Sequence, residues 1–166
     1  MIVIVMGVSG SGKSYLAAKL AEATGWAFAE GDDYHSAHNK ALMSAGTPLT
    51  DADRAPWLDT LHQVLLDWHN RGVSGILTCS ALKEEYREHL TGGLPEARFV
   101  WLDPPHDVLE ARMRNRPGHF MPPALLESQL ATLQPPTDIF HTLRLDGTQP
   151  IEQEIQTVQA WLNTHP

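Results

Sequence analysis

Residues 7–14 read GVSGSGKS and follow an unbroken apolar run, Met1-Ile2-Val3-Ile4-Val5-Met6. The run has the length of a strand buried on both faces, and beyond the loop Ala17, Leu20 and Ala21 fall on one face of a helix. Strand, glycine loop and helix form the context in which the spacing Gly7-(four residues)-Gly12-Lys13-Ser14 cradles a phosphate. Glycines at 7, 10 and 12 open backbone angles closed to other residues. The N–H groups of Gly7, Val8, Ser9, Gly10, Ser11 and Gly12 can then turn toward a β-phosphate at the positive end of the helix dipole. Lys13 would reach the β- and γ-phosphates, and the Ser14 hydroxyl is the metal ligand, to Mg2+, in such loops. A glycine-rich turn that binds nothing is the alternative, and the Lys-Ser pair with both flanks in place argues against it. The loop predicts a bound nucleoside triphosphate. It leaves the phosphoryl acceptor open between water, a protein and a small molecule.

Outward from the loop, short apolar runs alternate with longer stretches of helical period, the pattern of a parallel sheet flanked by helices. Strands are predicted at 1–6, 26–30, 75–79, 98–102 and 141–145. Trp57, Leu58, Leu61, Val64, Leu65 and Trp68 share one helical face, and Thr50 with Asp53 fits a capping box that starts this helix near Asp51. Pro150 opens a last amphipathic helix through Ile151, Ile155, Val158, Trp161 and Leu162, after a turn at Asp146-Gly147. The stretch 112–123 carries three arginines and two glycine or proline breaks, and reads as a mobile lid.

At 166 residues the chain fits one α/β domain, 1–166. No apolar stretch approaches the ~20 residues of a membrane span, and the apolar start lacks the basic segment of a signal peptide. Twenty acidic against twelve basic residues, a formal charge of −8, argue against nucleic acid as a partner. The single cysteine, Cys79, excludes an intrachain disulfide or a multi-cysteine zinc site and suits a reducing, cytoplasmic setting.

Two clusters bear on the acceptor. EGDDYHSAHN, residues 30–39, follows the second strand, where ligands of parallel sheets bind. A carboxylate there can touch the metal or take the proton of an attacking hydroxyl, and Asp32 is assigned the second role; a solvated acidic turn is the alternative for Glu30 and Asp33. His35 either hydrogen-bonds a polyhydroxy substrate or caps a helix. The second cluster, Arg112, Arg114, Arg116 and His119, could close over a transferring phosphoryl, with Arg116 beside Pro117-Gly118 the best placed and Arg114 a plain surface cation. Lys83 and Arg87, four apart, could hold a carboxylate or simply pair with Glu84 or Glu88. Trp68 and Trp161 read as core, Trp57 as core or ligand wall, and Cys79 as a small buried residue.

These segments together, MGVSGSGKS, GDDYH with Asn39, GTPLTDADRAPWL, CSALKEEYR and GHFMPPALLESQLATLQPP, closely resemble the gluconokinase family over nearly the whole length. The resemblance implies the three-layer P-loop NTPase fold of shikimate and nucleoside monophosphate kinases, a five-stranded parallel sheet with helices on both faces and a small lid. It implies ATP-dependent phosphorylation of D-gluconate to 6-phospho-D-gluconate with Mg2+, in a homodimer. It places Lys13, Asp32 and Arg116 in catalysis and Gly7 to Ser14 with Arg112 on ATP. Asp32, His35, Arg54, Lys83, Arg87 and His119 fall on the substrate side, near Trp57 and Ser80. Two positions depart: Leu42 stands where the family commonly has lysine, and Glu30 replaces the usual aspartate. Another hydroxy acid such as shikimate, or a nucleotide-dependent switch without an acceptor, are the competing readings.

Overall fold

The computed structural model describes residues 1–115 and 123–166. Strands β1 (Ile2–Met6), β2 (Ala27–Glu30), β3 (Gly75–Thr78), β4 (Ala97–Leu102) and β5 (Thr142–Leu145) form one parallel sheet in the order β2-β3-β1-β4-β5. Helices are α1 (Lys13–Thr24), α2 (Ala37–Ser44), α3 (Asp51–Arg71), α4 (Glu84–Thr91), α5 (His106–Arg114), α6 (Pro123–Thr132) and α7 (Ile151–Thr164). This is the α/β P-loop fold, and the predicted strands lie within a residue or two of the observed ones.

The two-residue period of β1 divides its side chains between two cores. Ile2, Ile4 and Met6 pack with Trp57, Leu58, Leu61, Leu65 and Trp68 of α3, while Val3 and Val5 pack with Leu16, Ala17 and Leu20 of α1 and Val158 and Leu162 of α7. Both faces are covered, so β1 is apolar at every position. Helix α3 begins as its sequence requires: Asp53 N–H donates to Thr50 Oγ1 at 3.1 Å and Thr50 N–H donates to Asp53 Oδ2 at 2.9 Å. Pro56 is carried inside this helix without ending it.

One boundary differs from expectation. Arg112 and Arg114 belong to α5, which Leu109 anchors in the core with Met113 packed against it, so the described part of the 112–123 stretch is helical at both ends. The parallel arrangement gathers the loops after β1, β2, β3 and β5 at the carboxyl edge of the sheet, where a ligand would sit. Among the described residues, no helix is long and apolar enough to cross a membrane.

Candidate active site

The phosphate-type loop leaves β1 through Gly7, whose φ of 147° is open to glycine. A Cβ there would stand 2.6 Å from the Leu102 carbonyl oxygen, so the loop lies tight against the end of β4. Its N–H donates to Ser80 O at 3.3 Å, tying the loop to the exit of β3 as well. Gly10 and Gly12 also take positive φ, 81° and 96°. Lys13 Nζ donates back to Gly7 O at 2.9 Å and Val8 O at 3.1 Å, holding an ammonium over the cradle.

Two more side chains brace the loop from other elements. Gln129 of α6 accepts from Ser9 N–H at 2.8 Å and donates to Ser9 Oγ at 3.2 Å. Arg112 of α5 donates to Ser11 O at 3.1 Å, to Gly10 O at 3.3 Å and to Gly147 O at 2.7 Å, spanning from the loop to the turn after β5. A cavity of about 390 Å³ lies over the loop, walled by Ser9, Gly12, Lys13, Ser14, Asp32 and Arg112 among others.

A second, narrower cavity of about 70 Å³ adjoins it, lined by His35, Arg54, Trp57, Ser80, Ser128 and Gln129. Ser9, Lys13 and Asp32 line both, so the loop lysine and the Asp32 carboxylate stand where the two spaces meet. Asp32 lies in a short 3-10 turn directly after β2, Gly31–Tyr34, with its side chain 71% exposed.

His35 is nearly enclosed and stacked on Trp57, with ring centroids 4.1 Å apart and planes within 16°. The Trp57 indole N–H donates to Gly31 O at 2.8 Å, which fixes the platform on which His35 rests. Asn39, buried on α2, donates to Asp53 O at 2.9 Å and lies 3.3 Å from His35 Nδ1. A carboxamide nitrogen can only donate, so Nδ1 accepts and the ring hydrogen sits on Nε2, 4.0 Å from Asp32 Oδ1. Burial pushes the His35 pKa below its usual value, with Arg54 and Lys40 adding to it and Asp32 opposing. The ring is therefore a neutral donor facing Asp32.

Arg54 is positioned from behind. Its guanidinium donates to Leu49 O at 2.7 Å and to Tyr86 Oη at 3.1 Å and lies 5.1 Å from the Tyr86 ring centroid, while Tyr86 donates to Asp51.

Comparison with known proteins bears on what this arrangement is. The family model described as "AAA domain" matches residues 2–136. A gluconokinase of Gluconobacter oxydans is 49% identical over 144 residues, covering 87% of this chain and 81% of that protein. The chain belongs to the gluconokinase family. The crystal structure of a gluconokinase from Sinorhizobium meliloti superposes with a TM-score of 0.87 at 42% identity, covering 98% of this chain and 91% of the other. That of a sugar kinase from Janibacter gives 0.91 at 49% identity, over 98% and 94%.

Within this gluconokinase-family chain, the described residues expected at the site divide into two groups. Lys13, Ser14, Asp32, His35, Arg54 and Arg112 line the two cavities. Lys83 and Arg87 line neither. Lys83 precedes α4, 3.5 Å from Asp51 and 5.4 Å from the Tyr86 ring centroid, so it belongs to the network behind Arg54. Arg87 is buried and donates to Ala81 O at 2.7 Å, Gln134 O at 2.8 Å and Glu84 at 3.0 Å. Four-residue spacing predicts both cations on one helical face; instead Lys83 is the extended residue that caps α4, and Arg87, within the helix, turns inward. Its guanidinium ties down the carbonyl of Ala81, whose φ of 47° is rare outside glycine, next to Ser80. Arg116 and His119 lie outside the described residues. Glu30 lines neither cavity and accepts from Thr78 Oγ1, which in turn accepts from Gly31 N–H at 3.0 Å. Cys79 is buried, and burial pushes its thiol up to about 12.

Three contacts at the site were not legible as roles in the sequence: Gln129 on Ser9, Asn39 on His35 and Tyr86 on Arg54. Gln129 offered only the weak signal of a polar residue in an apolar helix, PALLESQLAT.

Proposed function

We propose that this protein transfers the γ-phosphoryl group of ATP to D-gluconate, giving 6-phospho-D-gluconate and ADP. The observation that carries the reading is the junction of the two cavities at Lys13 and Asp32. A triphosphate cradled by Gly7 to Ser14 would point its γ-phosphate at that junction, and an acceptor in the inner cavity would meet it there.

In the transfer, the terminal hydroxyl oxygen of gluconate forms a bond to the γ-phosphorus as the bond to the β,γ-bridging oxygen breaks. Asp32 orients that hydroxyl and takes its proton. His35 Nε2–H, held by Asn39 and Trp57, and the Arg54 guanidinium face the same cavity and suit the hydroxyls and carboxylate of a sugar acid. Lys13, which donates to two carbonyls of its own loop, would turn from them to meet the phosphates. Arg112 is assigned to the nucleotide. Arg116 and His119 are assigned, on sequence, to the transferring phosphoryl and the acceptor. The Ser14 hydroxyl and Asp32 carboxylate both line the outer cavity and offer only oxygen, the donor set Mg2+ prefers; when bound, the ion would neutralise phosphate charge. The resemblance adds a homodimer and the single cysteine a cytoplasmic setting; sedimentation is the test of assembly.

The deciding experiment measures ADP release with ATP and Mg2+ in the presence of D-gluconate, shikimate, a nucleoside monophosphate or no acceptor. Gluconate-dependent turnover that falls about a hundredfold or more in Asp32→Ala is expected. Activity confined to shikimate, or ADP release equal in every arm, would overturn the reading.

A further inference from the structure

Helix α7 buries Glu154, Val158 and Leu162 on one side, at successive steps of four. Val158 and Leu162 are core residues, so the periodicity calls for an apolar side chain at 154 as well. The glutamate there is only 7% exposed, and its Oε1 has no hydrogen-bond partner. An unpaired carboxylate oxygen inside a protein is costly, and a local conflict of this kind marks a functional position more often than an error of folding. Burial and the nearby Asp146 hold the carboxyl above its usual pKa, with Arg112 and the Gln149 backbone N–H opposing.

Glu154 lines a third cavity, about 240 Å³, together with Leu102, Gly147 and Ile151. This space is continuous with the one above the phosphate-type loop, since Gly12, Tyr15 and Arg112 line both. A nucleotide whose phosphates lie in the loop therefore places its base beside Leu102 and Ile151, within reach of Glu154. That placement rests on the reading of the loop as an ATP site.

We propose that Glu154 selects the base: a small turn of its side chain brings the unpaired oxygen, closed off by its neighbours, into the cavity, where it accepts a hydrogen bond from the 6-amino group of adenine. Adenine carries no other N–H donor, whereas a 6-oxo purine would set an oxygen against the carboxylate. A 6-oxo purine has its nearest donor, N1–H, one ring position away, so an acceptor held at the amino position favours adenine. The nucleotide-free protein carries the acceptor unsatisfied, which keeps it less stable than its core would otherwise allow.

The test compares kcat/KM for ATP and for purine riboside 5′-triphosphate, which has hydrogen in place of the amino group, in wild type, Glu154→Met and Glu154→Gln. GTP is run as a further arm. Wild type should prefer ATP about tenfold or more. Glu154→Met, without an acceptor, should bring the ratio near one, and Glu154→Gln, which keeps an oxygen, should retain part of it. Nucleotide-free Glu154→Met should melt higher, by about 3 °C, because an apolar side chain replaces the orphan. A ratio unchanged in Glu154→Met, a lowered melting temperature with the ratio intact, or a wild type indifferent to the amino group would each overturn the proposal. So would a preference for GTP, which would mean that the carboxylate pairs with guanine donors. If no gluconate-dependent turnover is found, calorimetry with ADP and purine riboside 5′-diphosphate on the same variants decides the point separately from the acceptor.

Discussion

Gln129 holds Ser9 at two points, accepting from its N–H at 2.8 Å and donating to its hydroxyl at 3.2 Å. A helix more than a hundred residues downstream thereby fixes the first bend of the phosphate-type loop. Gln129→Leu removes both contacts and should lower kcat/KM for ATP about tenfold, from the loss of one or two hydrogen bonds in the binding geometry. Gln129→Glu keeps an acceptor for the Ser9 N–H but sets a negative charge beside the phosphates, and should bind ATP more weakly than Gln129→Leu. Steady-state kinetics on both variants, with circular dichroism to confirm folding, decides this; equal effects would remove the electrostatic part.

Arg87 should matter to stability rather than to acceptor affinity. Arg87→Met leaves the carbonyls of Ala81 and Gln134 without their donor and should cost about 2 to 4 kcal/mol in urea denaturation. Any loss of activity should appear in kcat, through Ser80 and the turn that carries it. A selective rise in KM for the acid substrate, with stability intact, would restore Arg87 to the acceptor side.

His35 predicts a pH dependence of defined sign. Its folded pKa lies below the ordinary value of 6.5, so in the window beneath 6.5 the unfolded chain holds the proton while the folded protein does not. Stability contributed by neutral His35 is complete above 6.5 and is lost as pH falls through the depressed folded value. Denaturation curves of wild type and His35→Gln between pH 5 and 8 should therefore diverge less at the acid end than at neutrality. Parallel curves would show that His35 does not titrate differently in the two states.

Cys79 should resist alkylation. With its thiol pushed up to about 12 and its side chain buried, iodoacetamide at mildly alkaline pH should leave the native protein unlabelled and modify it fully in denaturant. Rapid native labelling would mean that the end of β3 opens readily.

The frame of the molecule was legible because local signals agreed. The apolar run of β1, the glycine loop and the Thr50 to Asp53 cap each carry their meaning within a few residues, and the observed elements fall where those signals put them. Side-chain roles that depend on packing were not. Spacing alone places Lys83 and Arg87 on one helical face but does not say whether that face meets a cavity or the core. Tyr86 and Gln129 act on partners 32 and 120 residues away, and Glu154 lines a space assembled from several loops; no local pattern marks such a partner. Glu154 did interrupt an apolar stripe, a signal available to a reader who asks why one position in a buried series is charged.

The division of β1 between two cores bears on how such enzymes diversify. The layer of α1 and α7 carries the phosphate-type loop and Glu154, and the layer built on α3 and α4 carries Arg54 and its supports. The two layers meet only through the sheet, whose strands β1, β3 and β4 each present alternate side chains to both. Mutations that reshape one chamber can therefore accumulate with little repacking of the other, so a lineage can exchange its acceptor while inheriting its phosphate donor intact.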